Sequence, residues 1–169
     1  MEDKKSEFKV LLVCTGNTCR SPMAEGILKK LLREKGIGGI EVGSAGISAL
    51  DGYPVTVFAL EATRVWDIDL DEHFSRRLTL NMLEQADLIL VMSPEHLKHI
   101  QRTDKRFLEK SYLLKAFPQK SNNADLAIKD PVGGSLEEYN QCFLELEEEL
   151  RRILPEIIRL YEKKNEKED

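Results

Sequence analysis

Cys14 is followed six positions later by Arg20, and the residues between them, Thr15-Gly16-Asn17-Thr18-Cys19, are small and mostly polar. A thiol at one end of such a loop and a guanidinium at the other can do phosphoryl chemistry. Backbone N–H groups of a short loop can converge on one point as an anion nest, and a helix that starts just after it adds the positive end of its dipole. Arg20 supplies a planar fork of donors suited to an oxyanion. Both features favour the thiolate of Cys14 at neutral pH. The expected reaction is phosphoryl transfer to sulfur. Packing in a core is the ordinary fate of a lone cysteine; the polar loop and Arg20 argue against it here.

The elements that must position these groups follow from periodicity. Val10-Leu11-Leu12-Val13 reads as the buried part of a strand from Phe8 to Val13. Ser21 as N-cap and Pro22 as first helical residue predict a helix over 22–34, with Met23, Ile27, Leu28, Leu31 and Leu32 on one face. Gly36 and the Gly38-Gly39 pair end it. Ile40-Glu41-Val42 predicts a short strand that leads into a loop, Gly43-Ser44-Ala45-Gly46. Residues 55–66 are helical in period, Leu88 to Met92 is a buried strand, and Ser93-Pro94-Glu95 opens a helix to about Gln101. Tyr112-Leu113-Leu114 is a fourth short strand. A polar loop, 118–129, ends at Asp130-Pro131-Val132-Gly133-Gly134. Ser135 with Glu138 forms a capping box for a long last helix, which Pro155 is expected to kink or restart. Residues 1–7 and 163–169 read as loose tails of a single domain spanning 1–169. Strands alternating with helices predict an α/β fold, a parallel sheet with helices on both faces. In such folds the ligand crevice lies at the carboxyl ends of the strands, where Cys14 falls.

Composition narrows the function classes. A net charge of −5 on 169 residues leaves no nucleic-acid footprint. The charged start of the chain lacks the apolar core of a signal peptide, and no apolar run is long enough to span a membrane. Three cysteines, Cys14, Cys19 and Cys142, make no disulfide framework and fit a reducing cytoplasm. No metal or other cofactor is expected. Cys14 and Cys19 lack a second Cys/His pair, and His73, His96 and His99 form no ligand set. His96 and His99 read as a solvated helix face, Glu145 to Glu149 as another, and Cys142 as packing.

Cys14-Thr15-Gly16-Asn17-Thr18-Cys19-Arg20-Ser21-Pro22-Met23-Ala24-Glu25 between a strand and a helix, with Asp130-Pro131 downstream and a closing helix, resembles the low-molecular-weight protein phosphatase family from Lys9 to about Leu154. The resemblance implies a four-stranded parallel sheet of order 2-1-3-4. It implies that Cys14 is the nucleophile and that Thr15, Gly16, Asn17, Thr18, Cys19 and Ser21 line the phosphate loop with Arg20. Asp130 is then the general acid, and later the base for the water that attacks a phosphocysteine. Asn17, Ser21, Ser44 and His73 match positions that hold the loop and orient the thiolate, His73 in a supporting role. The partner is a phosphorylated protein. Cys19 is a candidate redox partner for Cys14.

Tyrosine-directed relatives usually carry an aliphatic residue where this chain has Thr18, and aromatics at the positions of Leu50 and Val132. Thr18 and the Asp-Pro-x-Gly-Gly pattern resemble the bacterial protein-arginine-phosphatase branch, although that branch usually has an aromatic at Val132. The reading leans to phosphoarginine, with phosphotyrosine as the alternative. Arsenate reductase is a distant third, because only Cys142 is available as a further relay cysteine. An intact Cys14, Arg20 and Asp130 argue against a binding module without catalysis.

Overall fold

The structure is a computed structural model that describes residues 7–168. Alternation along the first strand, β1 (Phe8–Cys14), sorts its side chains onto two faces. Val10, Leu12 and Cys14 face one hydrophobic cluster, and Leu11 and Val13 face the other. Leu88 and Leu90 against Ile89 and Val91 repeat the pattern in β3 (Leu88–Val91). A strand buried on both faces needs helices on both sides, and that is the arrangement found.

β1 is central. It pairs in parallel with β2 (Ile40–Gly46) on one side and with β3 on the other, and β4 (Ser111–Leu113) pairs in parallel with β3. The order is 2-1-3-4. Apolar residues of α1 (Arg20–Glu34), α2 (Val57–Arg64) and α5 (Leu136–Glu166) build the first cluster. Leu83 of α3 (Leu80–Gln85) and Ile100 of α4 (Pro94–Thr103) build the second.

Several elements differ from the sequence reading. Gly43–Gly46, expected as a loop, continues β2 and pairs in register with Leu11–Cys14. α1 begins at Arg20, so Ser21 lies inside the helix, and the N-cap position belongs to Cys19. Ser21 makes no cap because its hydroxyl is turned to Cys14. α2 is shorter than expected, α3 was not foreseen, and 3-10 turns occupy Lys105–Lys110 and Ala124–Leu126. α5 runs through Pro155 as one helical segment to Glu166. Residues 163–166 are therefore helix rather than tail, and Lys164 Nζ reaches the Asp87 carboxylate at 3.1 Å and the Glu7 carbonyl at 2.8 Å. Of the expected N-terminal tail, residues 1–6 lie outside the described residues. The Ser135–Glu138 capping box forms: Glu138 N–H donates to Ser135 Oγ at 3.3 Å and Ser135 N–H to Glu138 Oε2 at 2.7 Å.

The last residue of β2 touches the loop after β1. A Cβ on Gly46 would stand 2.5 Å from the Thr15 carbonyl oxygen and 2.9 Å from the Asn17 nitrogen. Both are backbone atoms that cannot swing aside. Gly46→Ala is expected to cost about 1–3 kcal/mol through this overpacking. It should also weaken inhibition by vanadate, because the displaced atoms belong to the loop. Urea unfolding and vanadate titration check this; a variant unchanged in both would show that the loop has room to move.

Candidate active site

The site is built where β1 stops. Cys14 ends the strand, is buried, and is held by Ile47 N–H donating to its carbonyl at 3.0 Å. The chain then turns through Thr15–Cys19 into α1. Asn17 sits at φ 57°, in the left-handed region, which Asn tolerates better than most residues. The turn brings Asn17 N–H back to 3.3 Å from Cys14 Sγ.

Asn17 is fully buried and all of its side-chain polar atoms are used. Its amide nitrogen donates to Ser21 Oγ at 2.8 Å and to Ser44 Oγ at 2.9 Å. Its amide oxygen accepts Arg76 N–H at 3.0 Å. His73 Nε2 lies 3.2 Å from its carbonyl oxygen, so this nitrogen carries the ring proton. Ser21 Oγ, already accepting from Asn17, lies 2.8 Å from Cys14 Sγ and can direct its own proton to the sulfur. Ser44 and His73 thus meet the loop through Asn17, one at the side chain and one at the backbone.

Arg20 is 3 % exposed, an unusual burial for a guanidinium. Its Nη1 donates to the Ile128 carbonyl at 2.9 Å. Nη2 donates to Thr15 Oγ1 at 3.3 Å and to Asp130 Oδ2 at 3.4 Å. Asp130 is the outer member of this ion pair, its side chain 42 % exposed against 4 % for Arg20. Its other oxygen accepts Val132 N–H at 3.1 Å, which fixes the carboxylate at the start of the turn before α5. The thiol, the guanidinium and the carboxylate singled out in the sequence therefore come to one loop.

Burial pushes the Cys14 thiol up, opposed by the Ser21 hydroxyl, the Arg20 charge, and the backbone N–H groups of Ser21 and Asn17. The loop N–H groups and Arg20 lower the thiol as expected, and burial of the whole side chain works against them. The structure assigns each donor a share in offsetting that cost. His73 is lowered, first by burial, so its ring is neutral at pH 7.

Cys19 points away from solvent. Its sulfur lies 3.4 Å from both Thr56 Oγ1 and Tyr139 OH, and 3.8 Å from Thr18 Oγ1. Burial is the first cause that pushes the Tyr139 phenol up to about 12. Thr56 also donates its N–H to the Thr18 carbonyl at 3.1 Å, so the segment before α2 is tied to the loop. All three cysteines are free thiols, and Cys142 packs behind the Asp130 turn, its sulfur 3.9 Å from the Lys129 carbonyl.

Gly16 and Thr18 line a cleft of about 560 Å³ together with Leu50, Tyr53, Val55 and Val57. Leu50, which lines the cleft, is exposed, and so is Val132 beside Asp130. An aromatic residue enters this cleft from a position other than Leu50 or Val132. Tyr53, 56 % exposed, lines this cleft and is held by Ser75 N–H donating to its carbonyl at 2.7 Å. No helical or strand period marks Tyr53 in the sequence, because it belongs to a turn.

His96 is the clearest miss. Expected on a solvated face, it is fully buried and its Nε2 lies 2.9 Å from Thr15 Oγ1. Ser93 N–H donates to its Nδ1 at 3.0 Å. The signal was present: Ser93 three residues before His96 is a capping-box spacing, with an imidazole where Glu or Gln is usual. His99 is half-buried. Among the described residues no group of acidic, cysteine and histidine side chains could hold a metal ion, and no helix is long and apolar enough to cross a membrane.

The family model for low molecular weight phosphotyrosine protein phosphatase matches residues 9–166. A protein-arginine-phosphatase from Bacillus subtilis is 38 % identical over 148 residues, which cover 88 % of this chain and 95 % of that protein. A low molecular weight protein-tyrosine-phosphatase, Ptp, from Acinetobacter johnsonii is 43 % identical over 98 residues, 57 % of this chain and 66 % of that one. Among solved structures, the YwlE arginine phosphatase from Geobacillus stearothermophilus superposes with a TM-score of 0.81 at 31 % identity, covering 92 % of this chain and 96 % of that one. A cysteine-to-serine mutant of a YwlE arginine phosphatase, with a phosphorylated active site serine, superposes with a TM-score of 0.81 at 36 % identity, over 89 % of this chain and 95 % of that one.

The Ser21 contact generates a direct test. Removing the hydroxyl deletes the largest of the influences that lower Cys14. Ser21→Ala should therefore shift the pH midpoint of Cys14 alkylation by iodoacetamide upward, and should cost about 1–3 kcal/mol of stability because the buried Asn17 amide loses one acceptor. An unchanged or lower midpoint would show that the hydroxyl donates elsewhere.

Proposed function

The chain belongs to the low molecular weight phosphotyrosine protein phosphatase family and is a protein phosphatase, and from that premise we propose that the side chain it dephosphorylates is phosphoarginine. In this reading Cys14 Sγ, as the thiolate that the Ser21 and Asn17 donors and Arg20 stabilise, attacks phosphorus while the phosphate oxygens lie in the loop from Thr15 to Ser21, against Arg20. The P–N bond breaks, and Asp130 gives its proton to the leaving guanidine nitrogen. Water then attacks the phosphocysteine, Asp130 takes the water's proton, and the P–S bond breaks to release phosphate and restore Cys14. No atom or electron pair is needed from a cofactor. The three free thiols suit a reducing cytoplasm; if a peroxide oxidises Cys14 to a sulfenic acid, Cys19 would condense with it, releasing water as the protective disulfide forms.

One observation carries the choice of substrate: Thr18, a residue with a hydroxyl, lines the cleft beside the loop. That hydroxyl can bond to a guanidinium or to a water beside it, whereas an aliphatic side chain offers only an apolar surface for a phenol. The protein-arginine-phosphatase relative, matched along 88 % of the chain, supports the same reading. Tyr53 speaks for both substrates, because its face can stack on a phenol or on a planar guanidinium. Its aromatic face is what makes phosphotyrosine the second reading, while Leu50 and Val132 stand where tyrosine-directed relatives usually carry aromatics.

Thr18→Ile separates them. It should lower kcat/KM for a phosphoarginine peptide by about tenfold, within the range that a single pocket group controls. For a phosphotyrosine peptide it should raise kcat/KM or leave it unchanged. Parallel losses on both peptides, or a wild type that strongly prefers phosphotyrosine, would replace phosphoarginine by phosphotyrosine.

A further inference from the structure

His96 lies on α4, on the opposite face of the sheet from α1, yet it reaches the loop. Its environment fixes its chemistry. A backbone N–H can only donate, so the bond from Ser93 N–H to Nδ1 makes that nitrogen the acceptor, and the neutral ring carries its proton on Nε2. Burial, then the charges of Arg20 and His99, pull the ring down to about 3, so it is neutral at physiological pH. Among the described residues, the Glu95 carboxylate, 3.7 Å from Nε2, is the acidic group paired with it. With that tautomer, Nε2–H donates to Thr15 Oγ1 at 2.9 Å. The same oxygen accepts Arg20 Nη2–H at 3.3 Å. Two donors on one hydroxyl oxygen turn its own proton away from both.

We propose that His96 is a positioning residue for the phosphate clamp: its Nε2–H holds Thr15 Oγ1 as an acceptor, and Thr15 in turn holds one arm of the Arg20 fork. The inference rests on the reading of Arg20 as a phosphate ligand. The chain of contacts is buried at both ends, since His96 is fully buried and Arg20 is 3 % exposed. Buried polar groups held in a connected network keep one arrangement, because each alternative leaves a partner unmet. The guanidinium, otherwise tied only to the Ile128 carbonyl and to the exposed Asp130, gains its inner fixed point from Thr15. His96 also caps α4 through Ser93, so a test must separate clamp from cap.

Gln is the variant that does so. At this capping-box position its amide oxygen can accept Ser93 N–H and its nitrogen can donate to Thr15, as the two ring nitrogens do. With p-nitrophenyl phosphate as substrate and inorganic phosphate as competitive inhibitor, His96→Ala should raise the phosphate inhibition constant on the order of tenfold, the worth of one lost buried hydrogen bond. His96→Gln should recover most of that loss. In a Thr15→Val background His96→Ala should add little, because the bond it breaks is already gone. An unchanged inhibition constant in His96→Ala, full additivity with Thr15→Val, or a Gln variant with wild-type Tm but weakened phosphate binding would each overturn the proposal. Should His96→Ala fail to fold, the Gln variant and its Thr15→Val double carry the same comparison. Arg20→Ala separates the two layers. Loss of phosphate inhibition there but not in His96 variants defeats this inference alone, and retained inhibition in Arg20→Ala defeats the clamp itself.

Discussion

One buried amide holds the site in its shape. Asn17 has no contact with solvent, so each of its polar atoms must find a protein partner or cost about 1–3 kcal/mol. The partners lie on separate parts of the chain: Ser21 on α1, Ser44 on β2, and the Arg76 backbone with the His73 ring on the segment before α3. Because all must be met at once, the loop from Cys14 to Arg20 has little freedom. The left-handed turn at Asn17 and the missing side chain at Gly46 are what let the loop lie so close to β2.

The chemistry depends on that closure. Cys14 is buried, and burial alone disfavours its thiolate. The Ser21 hydroxyl and the Asn17 N–H, both placed by the Asn17 turn, are the fixed dipoles that offset it. Arg20 is desolvated in the same way, and in the proposed reading an arriving phosphate meets a guanidinium already stripped of water. Coulomb attraction is stronger there than at a surface. Asp130 sits at the solvent side of this pair, where it can exchange protons with water. The inner charges are fixed and the outer one is accessible, as a two-step transfer with a final hydrolysis requires.

Much of this was legible in the sequence. The strand before the loop and the helix after it followed from an apolar run and from helix-start residues, and the sheet order followed from the family resemblance. Arg20 and Asp130 were readable although 110 residues separate them, because each lies in a short local pattern. What stayed hidden has no local period. Ser21 looked like an N-cap, the commonest use of Ser before Pro, until the structure turned its hydroxyl to a sulfur. Gly43–Gly46 has the composition of a loop, and only pairing with β1 makes it strand. His96 and Tyr53 act across the sheet or from a turn, where hydropathy says nothing about what a side chain touches.

The central claim is that phosphorus is transferred to Cys14 before water receives it. The most direct measurement mixes the wild-type protein with an excess of a phosphoarginine peptide, stops the reaction within the first turnover in alkaline denaturant, and weighs the proteolytic peptides. The account predicts the mass of one phosphoryl group on the peptide that carries Cys14, and none there in Cys14→Ser run to the same time. Active turnover with no phosphoryl group on Cys14 at any time point, or turnover preserved in Cys14→Ser, would contradict it.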